Sequence, residues 1–135
     1  MQGLSHITFI VQDLEKSAHL FETLFEAKEV YSSGGETFSL SKEKFFLIHG
    51  LWIAIMEGEP LPTKTYNHVA FKVAANELPM YREKVEALGL EIKGGRDRVT
   101  EEGESLYFYD YDNHLFELHA GTLEERLERY AKGKK

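Results

Sequence analysis

"YNHVAFKVAANELPMYREKVEALGLEI" (residues 66–92) decides the fold, because it repeats an earlier stretch, "LSHITFIVQDLEKSAHLFETLFEAKEV" (residues 4–30). Each opens on alternating apolar residues, the signature of a half-buried strand. In the later copy Asn67, Val69, Phe71 and Val73 form a core face, and Tyr66, His68, Ala70 and Lys72 point the other way. An acidic amphipathic helix follows in both. Its apolar positions are Leu14, Ala18, Phe21, Leu24 and Phe25 in the first copy and Leu78, Tyr81, Val85 and Leu88 in the second. Gly89 suits the left-handed cap that ends the second helix. His6 and His68 each stand third in their segments, and a chance alignment of two strands would not readily put both histidines in register.

Short strands follow each helix. The pattern predicts strands at 28–32, 36–41, 45–49 and 51–57 in the first half, broken by "SSGG" and "SKEK". In the second half it predicts 90–93, 105–110 and 114–119, broken by "GGRDRVTEEGE" and "DYDN". The linker "GEPLPTKT" (residues 58–65) carries two prolines, which cannot join a central ladder. The reading is an α+β chain forming one domain over residues 1–135, built of two βαβββ modules at about 4–57 and 66–121 with a closing helix at about 122–131. A repeat of this size suggests two curved half-sheets facing a shared cavity.

The composition narrows the function. At 135 residues and 42% hydrophobic, the chain suits a single globular unit. Lys and Arg number 16 against 23 Asp and Glu, a net charge of -7, and no basic cluster lies outside the terminal "KGKK". Nucleic acid is not an expected partner. With no cysteine, disulfides and thiolate metal sites are excluded, and any metal must take nitrogen and oxygen ligands. The N-terminal "MQGLSHITFIV" lacks a signal-peptide pattern, and no apolar run nears the roughly 18 residues that span a bilayer. A soluble protein of the cytoplasm, with no membrane partner, is the expectation.

Aligning the glycines that close the last strands, Gly58 and Gly121, sets "LWIAIMEG" over "HLFELHAG" and Glu117 over Ala54. Leu115, Glu117 and His119 then share one strand face, so a carboxylate sits in a segment otherwise built for burial. Such a group needs a cation or an ion pair unless its face is solvated. His6, His68 and Glu117 together make a three-ligand metal set, with Ala54 contributing no donor. Two imidazoles and a carboxylate leave positions open for water and substrate, as a catalytic site requires. The set suits Mn(II), Fe(II), Zn(II) or Ni(II) alike. His19, His49 and His114 read as structural or solvated, and His119 as a group supporting a ligand rather than being one.

"GLSHIT", "YNHVAF", "TFSLSKEKFFLIHGLWIAIMEG" and "EGESLYFYDYDNHLFELHAGTLEERLERY" resemble the fosfomycin resistance proteins of the vicinal oxygen chelate superfamily, with "SKEKFF" favouring their FosX type. The resemblance spans nearly the whole chain. It implies a domain-swapped homodimer in which His6 joins His68 and Glu117 of the other subunit around Mn(II) or another divalent ion. It implies as substrate a phosphonate epoxide, fosfomycin, with the metal acting as Lewis acid on the epoxide oxygen. The matching positions for the phosphonate are Thr8, Tyr107 and Arg126, with Arg98 or Arg96 as a further cation. Tyr66, two residues before His68, is a further substrate-binding position, and Trp52 would wall the substrate's methyl group.

Read from its neighbours alone, Glu43 in "SKEK" is a solvated hairpin tip. The resemblance makes it the general base that draws a proton from water for epoxide opening. The implied activity is a Mn(II)-dependent fosfomycin epoxide hydrolase. Two alternatives share the site: a thiol transferase using glutathione or a related thiol, and a ring-cleaving dioxygenase, whose apolar diol substrate gives Arg98 and Arg126 nothing to bind.

Overall fold

The computed structural model describes residues 1–94 and 104–133. Two compact units make up the chain, Met1–Lys64 with Tyr111–His114, and Thr65–Asp110 with Leu115–Lys135. Among the described residues no helix is long and apolar enough to cross a membrane.

The first unit runs β1 (His6–Val11), α1 (Leu14–Phe25), β2 (Lys28–Ser32), β3 (Glu43–Ile48) and β4 (Leu51–Glu57). Its sheet has the order β1-β4-β3-β2, with β1 parallel to β4 and the other pairs antiparallel. Helix α1 starts where the Asp13 carboxylate accepts the Lys16 N–H at 3.0 Å and stops at Glu26, which turns left-handed at φ 52°. Ala18, Leu20, Phe21 and Leu24 are buried, whereas Phe25, expected on that face, is only half-buried. The Phe21 ring lies 6.2 Å from Phe9 and 6.0 Å from Phe46, so the helix covers the sheet face that carries Phe9, Val11, Phe46, Ile53 and Ile55. Each such side chain stabilises the unit by about 1.5–3 kcal/mol through burial. The opposite face carries His6 and Thr8 from β1, Trp52 and Ala54 from β4, and Glu43 and Phe45 from β3.

Two strand expectations for this unit fail, and both failures follow from the way β3 pairs with β2. Residues 36–41 form no strand, and Phe38 and Leu40 are 71% and 91% exposed. Strand β3 starts at Glu43, earlier than expected, and pairs directly with β2. The Ser33 N–H donates to the Glu43 carbonyl and the Glu43 N–H to Ser33 Oγ, both at 3.0 Å, which leaves 34–42 as the connecting loop. The reading of Glu43 as a solvated hairpin tip is therefore wrong: it is a strand residue, 8% exposed.

The second unit contains β5 (His68–Lys72), a 3-10 turn (Ala75–Glu77), α2 (Leu78–Ala87), β6 (Ser105–Tyr109), β7 (Leu115–His119) and α3 (Leu123–Gly133). Its sheet has the order β5-β7-β6, with β5 parallel to β7. The strand expected at 90–93 reduces to one bridge, Ile92 to Phe108. Gly94, at φ 88°, breaks the extended backbone just after it. Helix α2 buries Leu78 and Val85, and α3 begins at a Thr122 cap, whose Oγ1 accepts the Glu125 N–H at 3.1 Å.

The repeat survives as register. His6 pairs with Trp52 and His68 with Leu115, each histidine opening a strand parallel to the last strand of its unit. Two residues further, Ala54 faces Thr8 and Glu117 faces Ala70. Ala54 and Glu117 hold equivalent places, as the glycine alignment predicts.

Candidate metal centre and substrate site

In the second unit, parallel pairing of β5 with β7 brings His68 and Glu117 together. His68 Nε2 lies 3.1 Å from Glu117 Oε1, and the Glu117 side chain is 6% exposed. His68 Nδ1 lies 2.7 Å from the Tyr66 carbonyl oxygen. A carbonyl only accepts, so Nδ1 carries a proton, and the other ring nitrogen, Nε2, is the one that faces a carboxylate oxygen. If Nε2 carries no proton, both of these atoms are acceptors. Two acceptors at that distance repel unless a second proton or a cation sits between them. A divalent ion bound by both atoms removes the conflict, and nitrogen and oxygen donors of this kind fit Mn(II).

The other carboxylate oxygen is occupied. Glu117 Oε2 accepts from Ser105 Oγ at 2.6 Å and lies 3.2 Å from His119 Nδ1. His119 thus contacts Glu117 on the strand face that the two share. Tyr107, the cross-strand partner of Glu117, places its hydroxyl 3.1 Å from that of Tyr66. Burial, the bond from Tyr66 and the charge of Glu117 push the Tyr107 phenol far above its ordinary range, so it stays protonated. Lys93, which sequence reasoning passed over, holds its Nζ 5.2 Å from the centre of the Tyr66 ring.

In the first unit His6 stacks on Trp52, ring centres 4.1 Å apart, and Trp52 meets Phe45 edge-on at 5.2 Å. Ser5 Oγ lies 3.0 Å from His6 Nδ1, a contact that leaves Nε2 as the nitrogen for a ligand. Trp52 Nε1 is buried without a hydrogen-bond partner among the described residues. Thr8 lies two residues beyond His6 on the same face and opposite Ala54. Glu43 is on that face too, opposite Met56 near the far end of β4.

Of the expected ligands, then, His68 and Glu117 are in contact and His6 stands in the other unit. Among the described residues no group of three His, Asp or Glu side chains is placed to hold a metal. Arg126 lies on α3, half-buried, its N–H bonded to the Thr122 carbonyl. Arg96 and Arg98 lie outside the described residues. His19 is exposed, His49 sits in the β3–β4 turn at φ 48°, and His114 packs on the edge of Phe9 at 5.0 Å. A cavity of about 670 Å³ opens beside the start of α1, lined by Asp13, Ser17, Ser33, Lys44 and Tyr111 among others, and contains none of the candidate residues. Sequence reasoning also missed Ser105; the two-residue period that puts it on the Tyr107 face was the available signal.

Comparison with known proteins adds to this geometry. The family model described as the Glyoxalase/Bleomycin resistance protein/Dioxygenase superfamily matches residues 3–118. A fosfomycin resistance protein FosX of Listeria innocua is 65% identical over 132 residues, covering 98% of this chain and 99% of its own. A FosX of Mesorhizobium japonicum is 56% identical over 133 residues, covering 98% and 96%. A crystal structure of a mutant FosX from Listeria monocytogenes, complexed with Mn(II) and 1S,2S-dihydroxypropylphosphonic acid, matches with a TM-score of 0.87 at 58% identity over 96% of this chain and 98% of that one.

Proposed function

The chain belongs to the glyoxalase/bleomycin resistance protein/dioxygenase superfamily, and from that membership we propose that it is a Mn(II)-dependent fosfomycin hydrolase, which opens the epoxide with water and so confers antibiotic resistance. The observation that carries the reading is the His68–Glu117 pair, a ring nitrogen and a carboxylate oxygen 3.1 Å apart that can share a divalent ion, in a chain 65% identical to a FosX. A FosX crystallised with Mn(II) and a dihydroxypropylphosphonic acid, the product of adding water to such an epoxide, supports the same reaction.

In this reading His6, His68 and Glu117 hold the metal. Bound there, Mn(II) acts as a Lewis acid toward the epoxide and phosphonate oxygens. Thr8, Tyr107 and Arg126, with Arg98 or Arg96 as a further cation, bind the phosphonate, Tyr66 lines the substrate site, and the protonated Tyr107 is a donor suited to that anion. Trp52 walls the methyl group and, stacked on His6, orients its ring. Glu43 takes a proton from water. The water oxygen bonds to the carbon bearing phosphorus as that carbon's epoxide C–O bond breaks, the released oxygen takes a proton from solvent to complete the diol, and Glu43 gives its proton back to solvent. A strand carboxylate that is 8% exposed fits a base held in place better than a free surface charge does.

The active species is a homodimer in this reading, with His6 of one subunit completing the site of the other. Its support is that His6 belongs to one unit and His68 with Glu117 to the other, and that Leu123, Leu127 and Tyr130 on α3 are 67%, 57% and 51% exposed in the single chain. The deciding experiment incubates purified protein with Mn(II) and fosfomycin, with and without glutathione, and identifies the product by mass. The hydrated diol in both arms is expected. A thiol adduct as the main product, or no turnover, overturns the assignment.

A further inference from the structure

Ser105 grips one oxygen of Glu117. Ser105 Oγ lies 2.6 Å from Glu117 Oε2 and 2.7 Å from His119 Nδ1, while Oε1 lies beside His68 Nε2. The antiparallel register builds this arrangement: Ser105 is the cross-strand partner of His119, and Tyr107, two residues along β6, is the partner of Glu117. The protons can be assigned by counting. A carboxylate only accepts, so the single Ser105 O–H goes to Glu117, and the Nδ1–Oγ contact is donated by His119. The hydrogen bonds therefore run one way, from His119 through Ser105 to Glu117.

From this geometry we propose that Ser105 is a positioning residue for the metal centre: its hydroxyl holds Glu117 Oε2 and leaves Oε1 as the one carboxylate oxygen offered beside His68 Nε2. The inference rests on the reading of His68 and Glu117 as ligands. A glutamate without this restraint can turn about its last torsion and offer either oxygen or both. Two-oxygen binding would take up a position that water or substrate needs. Hydrogen bonds from outside a metal's ligand shell set ligand orientation in this way, and losing one typically lowers metal affinity by about 10- to 100-fold.

The test is Mn(II) titration of the metal-free protein, read from the electron paramagnetic resonance signals of free and bound ion, in the parent, Ser105→Ala, Ser105→Thr and Glu117→Ala. Ser105→Ala should bind Mn(II) about 10- to 100-fold more weakly and change the line shape of the bound ion, while its metal-free melting temperature stays near the parent's. Ser105→Thr, which keeps the hydroxyl, should restore both affinity and line shape. If Ser105→Ala matches the parent in both readouts while Glu117→Ala binds poorly, the positioning role is overturned and the metal site stands. If Glu117→Ala also binds like the parent, the metal site itself is wrong and the inference falls with it. Should Ser105→Ala not fold, Ser105→Cys, close in volume but a weak hydrogen-bond former, is decided by the same criteria.

Discussion

His68 Nε2 and Glu117 Oε1 stand 3.1 Å apart across the β5–β7 pair, with the other His68 nitrogen already committed to the Tyr66 carbonyl. A divalent ion should therefore stabilise the parent strongly. Mn(II) at about 100 times its Kd adds about 2.7 kcal/mol to the unfolding free energy, and a chelator should remove that gain. Glu117→Gln should show no such gain at the same Mn(II) concentration, as measured by thermal melting with and without metal. Equal stabilisation of parent and variant would show that the ion binds elsewhere.

The general-base role proposed for Glu43 is a test of the reaction class. Glu43→Gln keeps the size and hydrogen-bonding capacity of the side chain but cannot take a proton, and loss of a general base typically slows the rate by about a hundredfold to ten-thousandfold. Mn(II) and fosfomycin affinity should change little. Hydration near the parent rate would mean that another group activates the water.

Assembly can be tested by complementation. His6→Ala and Glu117→Ala should each be inactive alone. After subunit exchange, about one of the two sites in each mixed dimer should be intact and the other should carry both lesions. Activity should then recover in proportion to the mixed dimer formed. Verified exchange with no recovery would place His6, His68 and Glu117 of a site within one chain.

Lys44 predicts the alkaline limit of stability. It is 7% exposed, and its Nζ lies 2.9 Å from Glu29 and 3.2 Å from Glu15. Burial works to lower its pKa, but bonds and charge from Glu29 and Glu15 outweigh that, and the net shift is upward from 10.5. A raised folded-state pKa means the stabilisation is complete below the unfolded value of about 10.4 and is lost as pH rises through the folded value. Urea midpoints of the parent and Lys44→Met should differ by a constant amount from neutrality to about pH 10 and converge above it. A difference that stays constant through pH 11 would contradict the shift.

The sequence by itself determined the repeat, the two helices that follow the histidine strands, and the equivalence of Ala54 with Glu117. All of these follow from local periodicity: residues two apart share a strand face and residues three or four apart share a helix face, whatever the chain does elsewhere. The proposal of His6, His68 and Glu117 as metal ligands draws on the same period, and so does the placing of His119 on the face of Glu117. What only the tertiary structure decided depends on which strands become neighbours. Glu43 looks solvated in "SKEK" because its flanking residues are charged, yet direct pairing of β3 with β2 and β4 makes it an almost buried strand residue. The same pairing leaves no place for a strand at 36–41. Ser105 reads as an ordinary polar position until the antiparallel register of β6 with β7 sets its hydroxyl between Glu117 and His119. Alternation within a segment says which residues share a face, but which strands become its neighbours, and so the hydrogen-bond partners on that face, is set by segments distant in the chain.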